Sequence, residues 1–256
     1  MPKKKRLRTW VVITLLLLFL IGTIYYSCQI VLWKIHVDNN NKIQKKINDS
    51  VKVIESNEDV KYEIDFNILK KRNPDTIGYL NVNNTNINYI IVKGKDNSYY
   101  LNHNYDKKWN RAGWIFADYH NKFDETDRNI IIYGHNMKDG SMFETLKDVL
   151  TKEWYTNDNN HIITLATEKG TYHYQVFSTY SIVPEDYYIN TQFSTDSNFY
   201  KFIKTLEKRS IYNYEVDLSK EDKILTLSSC LGDGSKRVVL HAKLLIENKE
   251  EELENE

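Results

Sequence analysis

"KILTLSSCLGDGSKRVVLHAKLL", Lys223–Leu245, holds one of the chain's two cysteines, and its alternation decides the fold class. Side chains on a strand point to opposite faces in turn. Ile224, Thr226, Ser228 and Cys230 therefore share one face, and Leu225, Leu227 and Ser229 the other. "LGDGSK" supplies a turn with two glycines and an aspartate, and "RVVLHAKLLI" reads as the returning strand. In such a hairpin Arg237 comes back beside Cys230, seven residues earlier. A guanidinium near a thiol favours the thiolate. Its planar, permanently charged fork also suits an oxyanion forming beside the sulfur. The competing reading is a half-buried cysteine beside a surface arginine, the usual fate of this residue type.

Seven other runs, six of them upstream, carry the same strand-like pattern: "IGYLNV", "NINYIIVKG", "AGWIFAD", "NIIIYGH", "HIITLAT", "TYHYQVFSTYSIV" and the returning "RVVLHAKLLI". Asn/Asp/Gly-rich turns separate them. With "KILTLSS" they make eight short strands and predict a closed barrel or sandwich. Two helical insertions interrupt the strands, around "SMFETLKDVL" and in "TDSNFYKFIKTLEKRSIY", where Phe199, Phe202, Ile203 and Leu206 share a helix face. Ahead of the strands, Phe66 and Leu69 predict a short helix that stops before Pro74. Between Asp38 and Ser56, Ile43, Ile47, Val51 and Ile54 recur at helical spacing and predict a stalk helix packed on the main domain.

The N-terminus reads differently. "MPKKKRLR" carries five cationic side chains and no acid, and Thr9–Trp33 runs 25 residues without a formal charge. A membrane-spanning helix needs about 20 apolar residues. Trp10 at one end and Tyr25, Tyr26 and Trp33 toward the other suit interfacial anchors. A cleaved signal would have a shorter apolar region and a small-residue cleavage site. The sequence therefore predicts an uncleaved anchor, with the basic segment cytoplasmic by the positive-inside rule. The rest of the chain is then outside the cell, and Cys230 is its only external thiol, an unusual situation.

The 35 basic and 35 acidic residues of the 256-residue chain balance, which gives no sign of a nucleic-acid partner. No CxxC or HExxH cluster and no phosphate-binding glycine loop occurs, so no metal and no cofactor is expected. A cysteine nucleophile usually needs an imidazole partner. Of seven histidines, His135 is the first residue off the tip of the apolar strand Ile130–Tyr133–Gly134, and His120 also ends a strand. Strand-end loops are where scaffolds present functional groups. Spacing alone ranks His135 ahead of His120 and does not decide between them.

"YGHNM", "TLSSC" and Arg237, in that order, resemble the sortases, Gram-positive cysteine transpeptidases of the cell surface. "DFNILKKRNPDTIGYL" and "VKGKDNSYYLNHNYDKKWNRAGWIFAD" are similar to segments of class B, as is the helical insertion before "KILTLSSC". The resemblance covers about Asp65 to Ile246. It implies a mainly β fold, an eight-stranded sortase-type β-barrel with added helices. It implies Cys230 as nucleophile, His135 as acid/base partner and Arg237 as oxyanion stabiliser. Asn97, Leu101, Tyr188, Ile189 and Ser228 fall where class B enzymes line the substrate groove. One departure is Ser229, where the family often has Thr; the hydroxyl is kept and a methyl lost.

The expected organisation is a cytoplasmic basic segment (1–8), a transmembrane anchor (9–33), a helical stalk (34–62), a catalytic domain (63–247) and a disordered acidic tail (248–256). The implied activity is cleavage of a C-terminal sorting motif in secreted proteins through a thioester, then transfer to a peptidoglycan amine. The lipid bilayer is the remaining partner, through the N-terminal helix. The rivals are a cysteine peptidase that only hydrolyses, a pilin-polymerising sortase, and a non-catalytic tethered binding domain.

Overall fold

The computed structural model describes residues 9–48, 51–55, 60–231 and 234–245. The basic segment, the acidic tail, and Gly232 and Asp233 of the turn after Cys230 lie outside the described residues. The chain begins with a 40-residue helix, α1 (Thr9–Asn48), followed by β1 (Val51–Glu55), β2 (Val60–Ile64) and α2 (Phe66–Arg72). Then come β3 (Thr76–Val82), β4 (Asn88–Val92), β5 (Phe116–Ala117) and β6 (Asn129–Gly134). After a 3-10 run at Glu144–Leu150 and the one-turn α3 (Lys152–Tyr155) follow β7 (Ile162–Thr167) and β8 (Gly170–Ile182). α4 (Asp196–Arg209), β9 (Ile224–Leu231) and β10 (Lys236–Leu244) complete the order.

β3 to β10 close into a barrel in the order β10-β8-β7-β3-β4-β5-β6-β9. The pairings are antiparallel except β4–β5 and β6–β9, which are parallel. These are the eight strands expected from the alternation, with β5 reduced to two residues. Alternation divides β9 and β10 between two cores. Leu225, Leu227, Val238, Leu240 and Ala242 fill the barrel interior. Ile224 and Val239 face outward, into a second cluster beneath α4.

α4 sits on that outer layer because its apolar residues repeat at helical spacing: Phe199, Phe202, Ile203 and Leu206 are all buried. The Thr195 side chain accepts from Asn198 N at its start, and Lys208 and Arg209 occupy its last turn, where cations complement the helix dipole. The Arg128 guanidinium lies 4.0 Å from the Phe199 ring centroid. It covers the aromatic edge of this layer.

α1 differs from the expected stalk. Its 18-residue apolar window has a mean hydropathy of 2.3 and none of it is buried, whereas Ile43 and Ile47 are buried against the barrel. Asn110 donates to Asn40 Oδ1 at 2.9 Å and to His36 O at 3.0 Å, fixing this second half of the helix to the domain. The helical stripe does not continue, however. The helix ends at Asn48, and Val51 and Ile54 lie in β1, which pairs with β2 as a separate antiparallel hairpin. Both are β-branched, and Val51–Glu55 reads equally well as a short strand once pairing with Val60–Ile64 is available.

Candidate active site

Three strand ends converge at one mouth of the barrel. β9 lies between β6 and β10. In the antiparallel pair Arg237 stands opposite Cys230, where directly opposed side chains share a face about 5 Å apart. In the parallel pair Tyr133 aligns with Ser228 and Gly134 with Ser229, an offset of 95 residues. The same offset brings His135, the next residue after β6, alongside Cys230. The thiol thus has a guanidinium on one flank and an imidazole on the other. His135, Cys230 and Arg237 all line a groove of about 590 Å³.

The hydrogen bonds assign the protons. His135 Nε2 lies 2.7 Å from the Leu101 carbonyl oxygen. A carbonyl only accepts, so Nε2 carries hydrogen, and Nδ1 is the nitrogen left to exchange a proton. The His135 carbonyl accepts from Phe143 N at 2.8 Å, which ties down the backbone at the same point. Gly134 is required just before it. A Cβ there would lie 2.5 Å from both Ile115 Cδ1 and Phe143 Cγ, so any side chain would push the β6 tip outward. Arg237 Nη1 donates to Gly234 O at 3.1 Å. It makes no ion pair among the described residues, which leaves most of its donors available. Cys230 is a free, partly exposed thiol.

The five other residues expected in the groove all line it. Ser228 Oγ and Tyr188 OH are hydrogen-bonded at 3.0 Å, both residues being buried under the groove floor. Ile189 is half-buried at the rim, and Leu101 is exposed while its carbonyl holds His135. Asn97 is held rather than free: its Nδ2 donates to Asp118 Oδ2 at 2.7 Å, and its Oδ1 accepts from Tyr119 N. Asp118 also accepts from Tyr133 OH at 2.9 Å and bonds His120 Nδ1 at 2.7 Å. His120 is therefore engaged by the carboxylate behind the groove. Burial, then the Asp118 charge, pushes the Tyr133 phenol up, so it remains a donor.

Tyr133 and the Pro184–Asp186 segment also line the groove, and Asp118 supports it from behind through Asn97 and Tyr133; none of these was among the residues expected from the sequence. Tyr133 stands beside Ser228 only through parallel pairing, which has no local signal. Asp118 could have been noticed from its place in "FADYH", directly after an apolar run. Ser229 Oγ is buried on the other face of β9 and has no hydrogen-bond partner among the described residues.

Comparison with known proteins gives a consistent result. A family model described as a sortase domain matches residues 80–245. Sortase B of Listeria monocytogenes is 36% identical over 227 residues, covering 83% of this chain and 90% of that protein. Sortase B from Bacillus anthracis, solved in complex with AAEK1, is similar with a TM-score of 0.72 at 34% identity, covering 83% of this chain and 99% of that one. A Staphylococcus aureus sortase B–substrate complex gives a TM-score of 0.66 at 34% identity over 70% of this chain and 84% of that one.

Proposed function

The chain belongs to the sortase family of cysteine transpeptidases, and from that premise we propose the roles of its site residues and its place at the membrane. The Cys230 thiolate attacks a backbone carbonyl in a sorting motif near the C-terminus of a secreted protein. Arg237 donates hydrogen bonds to the oxyanion of the tetrahedral intermediate. His135, protonated at both nitrogens, gives the Nδ1 proton to the leaving amine as the C–N bond breaks. A thioester on Cys230 remains, and the C-terminal fragment departs with its new N–H. An amine nucleophile then attacks the thioester, loses a proton to His135, and displaces the thiolate to form a new amide. The acceptor on this reading is a peptidoglycan stem or cross-bridge amine.

The observation that carries the assignment is the three-strand register: Arg237 opposite Cys230 and the β6–β9 offset leading to His135. Asn97, Leu101, Tyr188, Ile189 and Ser228 hold the peptide along the groove, which accommodates an extended segment of several residues. The S. aureus relative solved as a sortase B–substrate complex supports a substrate-binding role for this groove.

α1 anchors the enzyme with residues 1–8 in the cytoplasm and the barrel outside. Its length supports this, since 25 uncharged residues rise about 37 Å at about 1.5 Å each. That exceeds the roughly 30 Å hydrocarbon core. The organisation is then anchor, stalk from residue 34 and catalytic domain 63–247.

The test uses the full chain with a library of sorting-type peptides and an added amine. Mass spectrometry is expected to show an acyl adduct on Cys230 and an amide product containing the amine, both absent in Cys230→Ala. Hydrolysis products alone would replace transpeptidation with peptidase activity. Turnover unchanged in Cys230→Ala would remove the thiol from the mechanism.

A further inference from the structure

Where α1 meets the barrel there is a second cavity, of about 430 Å³, on the flank of the site rather than in the groove. The helix contributes Tyr26, Gln29 and Trp33, and the domain contributes Arg111, Met137 and Lys138. Arg111 and Lys138 are exposed, and neither makes an ion pair among the described residues. Among the described residues Arg111 Nη1 reaches Gln29 Oε1, at 3.5 Å. The neighbouring acid, Asp139, is occupied by the Ser141 hydroxyl, which donates to its Oδ1 at 2.8 Å.

The depth of this cavity follows from the anchor reading, on which the inference rests. A hydrocarbon core about 30 Å thick takes about 20 helical residues. Counted from Thr9, it ends near Cys28. The next about 5–8 Å of the bilayer is headgroup, and Gln29 to Trp33 spans about 6 Å of helix. The cavity therefore opens at headgroup depth, with Trp33 at the level where interfacial aromatics settle. Two unneutralised cations stand there beside the apolar walls of Trp33 and Met137. A phosphodiester whose headgroup adds no cation of its own, with its glycerol end directed inward, meets both needs: uncompensated negative charge for the two cations and apolar contact below it.

We propose that this cavity binds the headgroup of an anionic phospholipid, with its phosphate between Arg111 and Lys138. The consequence reaches the groove. Met137 and Lys138 follow His135 by two and three residues, and Asn136 forms a bridge with Met142, next to the Phe143 that holds the His135 carbonyl. A headgroup seated here steadies the loop carrying His135 and sets the groove's height above the bilayer.

The experiment places the full chain in nanodiscs of phosphatidylcholine, with or without phosphatidylglycerol, and follows hydrogen exchange of the amides at 136–142. One basic residue near an anionic surface strengthens association about fivefold. Phosphatidylglycerol is accordingly expected to slow exchange at 136–142 by about fivefold or more. The Arg111→Gln/Lys138→Gln double variant should abolish that difference. Equal exchange in the two lipids, in a chain that resists alkaline extraction, overturns the headgroup site and leaves the anchor intact. Slowing that persists in the double variant overturns the assignment to these two residues. A chain extracted by alkali overturns the anchor and this proposal together.

Discussion

Cys230 has a strand neighbour on each side, and the two differ in what they offer. Arg237 presents a rigid, planar fork of N–H donors, whereas His135 has one nitrogen committed to Leu101 O and one left for proton exchange. The first is suited to charge stabilisation and the second to proton transfer. Arg237→Ala is accordingly expected to lower kcat by about 10²–10³, the usual loss for one oxyanion donor. KM should change far less, because the charge develops only after binding. Arg237→Lys should recover part of the loss, since it restores charge without the fork. Steady-state kinetics on an amine-acceptor assay decides this, and an unchanged kcat in Arg237→Ala would reassign the oxyanion role. The two partners were not equally legible in the sequence. The Cys–Arg pair is local, a hairpin readable from alternation and a glycine turn. The Cys–His pair depends on parallel register across 95 residues, so the residues alone left His120 open beside His135. The structure places the His120 ring against Asp118, two residues away.

At the scale of elements, the site depends on how β6 ends and on what covers β8 to β10 from outside. The β6 tip has no room for a side chain at Gly134. Gly134→Ala should therefore displace His135 and reduce kcat/KM by at least tenfold, while circular dichroism and the barrel's thermal transition remain those of a folded protein. A fully active variant would show that the tip can yield without moving the histidine. α4 was readable from its helical spacing, and its removal from the core should be costly. Phe199 is fully buried, so Phe199→Ala is expected to destabilise the protein by about 3–5 kcal/mol, measured by chemical denaturation. Loss under about 1 kcal/mol would mean the outer layer collapses into the space. The stalk shows why periodicity fails at element ends. Ile43 and Ile47 do lie on a buried helix face, but Val51 and Ile54 continue the same spacing in a strand. Spacings of four and three over so few residues do not separate a last helical turn from a short β-branched strand. Pairing with Val60–Ile64, which no local pattern announces, decides it.

The molecule as a whole is a closed barrel with a second apolar layer on one flank, and the two are joined by a buried polar chain. Thr226 Oγ donates to Asn129 Oδ1 at 2.7 Å and lies 2.8 Å from His241 Nδ1. The hydroxyl's single hydrogen is thereby used, so His241 Nδ1 must be the donor to Thr226. Nε2 then accepts from Tyr180 OH at 2.9 Å. Both ring nitrogens are satisfied by the neutral imidazole, and the cation would leave Nε2–H facing another donor. Complete burial, with Arg209 nearby, lowers the His241 pKa from 6.5 to about 3. In the unfolded chain this histidine takes up a proton below about pH 6.5, while in the folded chain it stays neutral down to about pH 3. The unfolded state therefore binds more protons across that window, and stability rises with pH. The His241 contribution is complete above about pH 6.5 and is lost as pH falls toward 3, at up to about 1.4 kcal/mol per pH unit. Urea denaturation of the full chain in detergent, followed by tryptophan fluorescence, should show a lower midpoint at pH 5 than at pH 7.5. His241→Gln removes this titration whatever its own effect on stability, so its midpoint should fall less steeply over the same interval. Parallel slopes for the two proteins would mean that His241 can be protonated inside the fold, which the donor count at Tyr180 and Thr226 argues against.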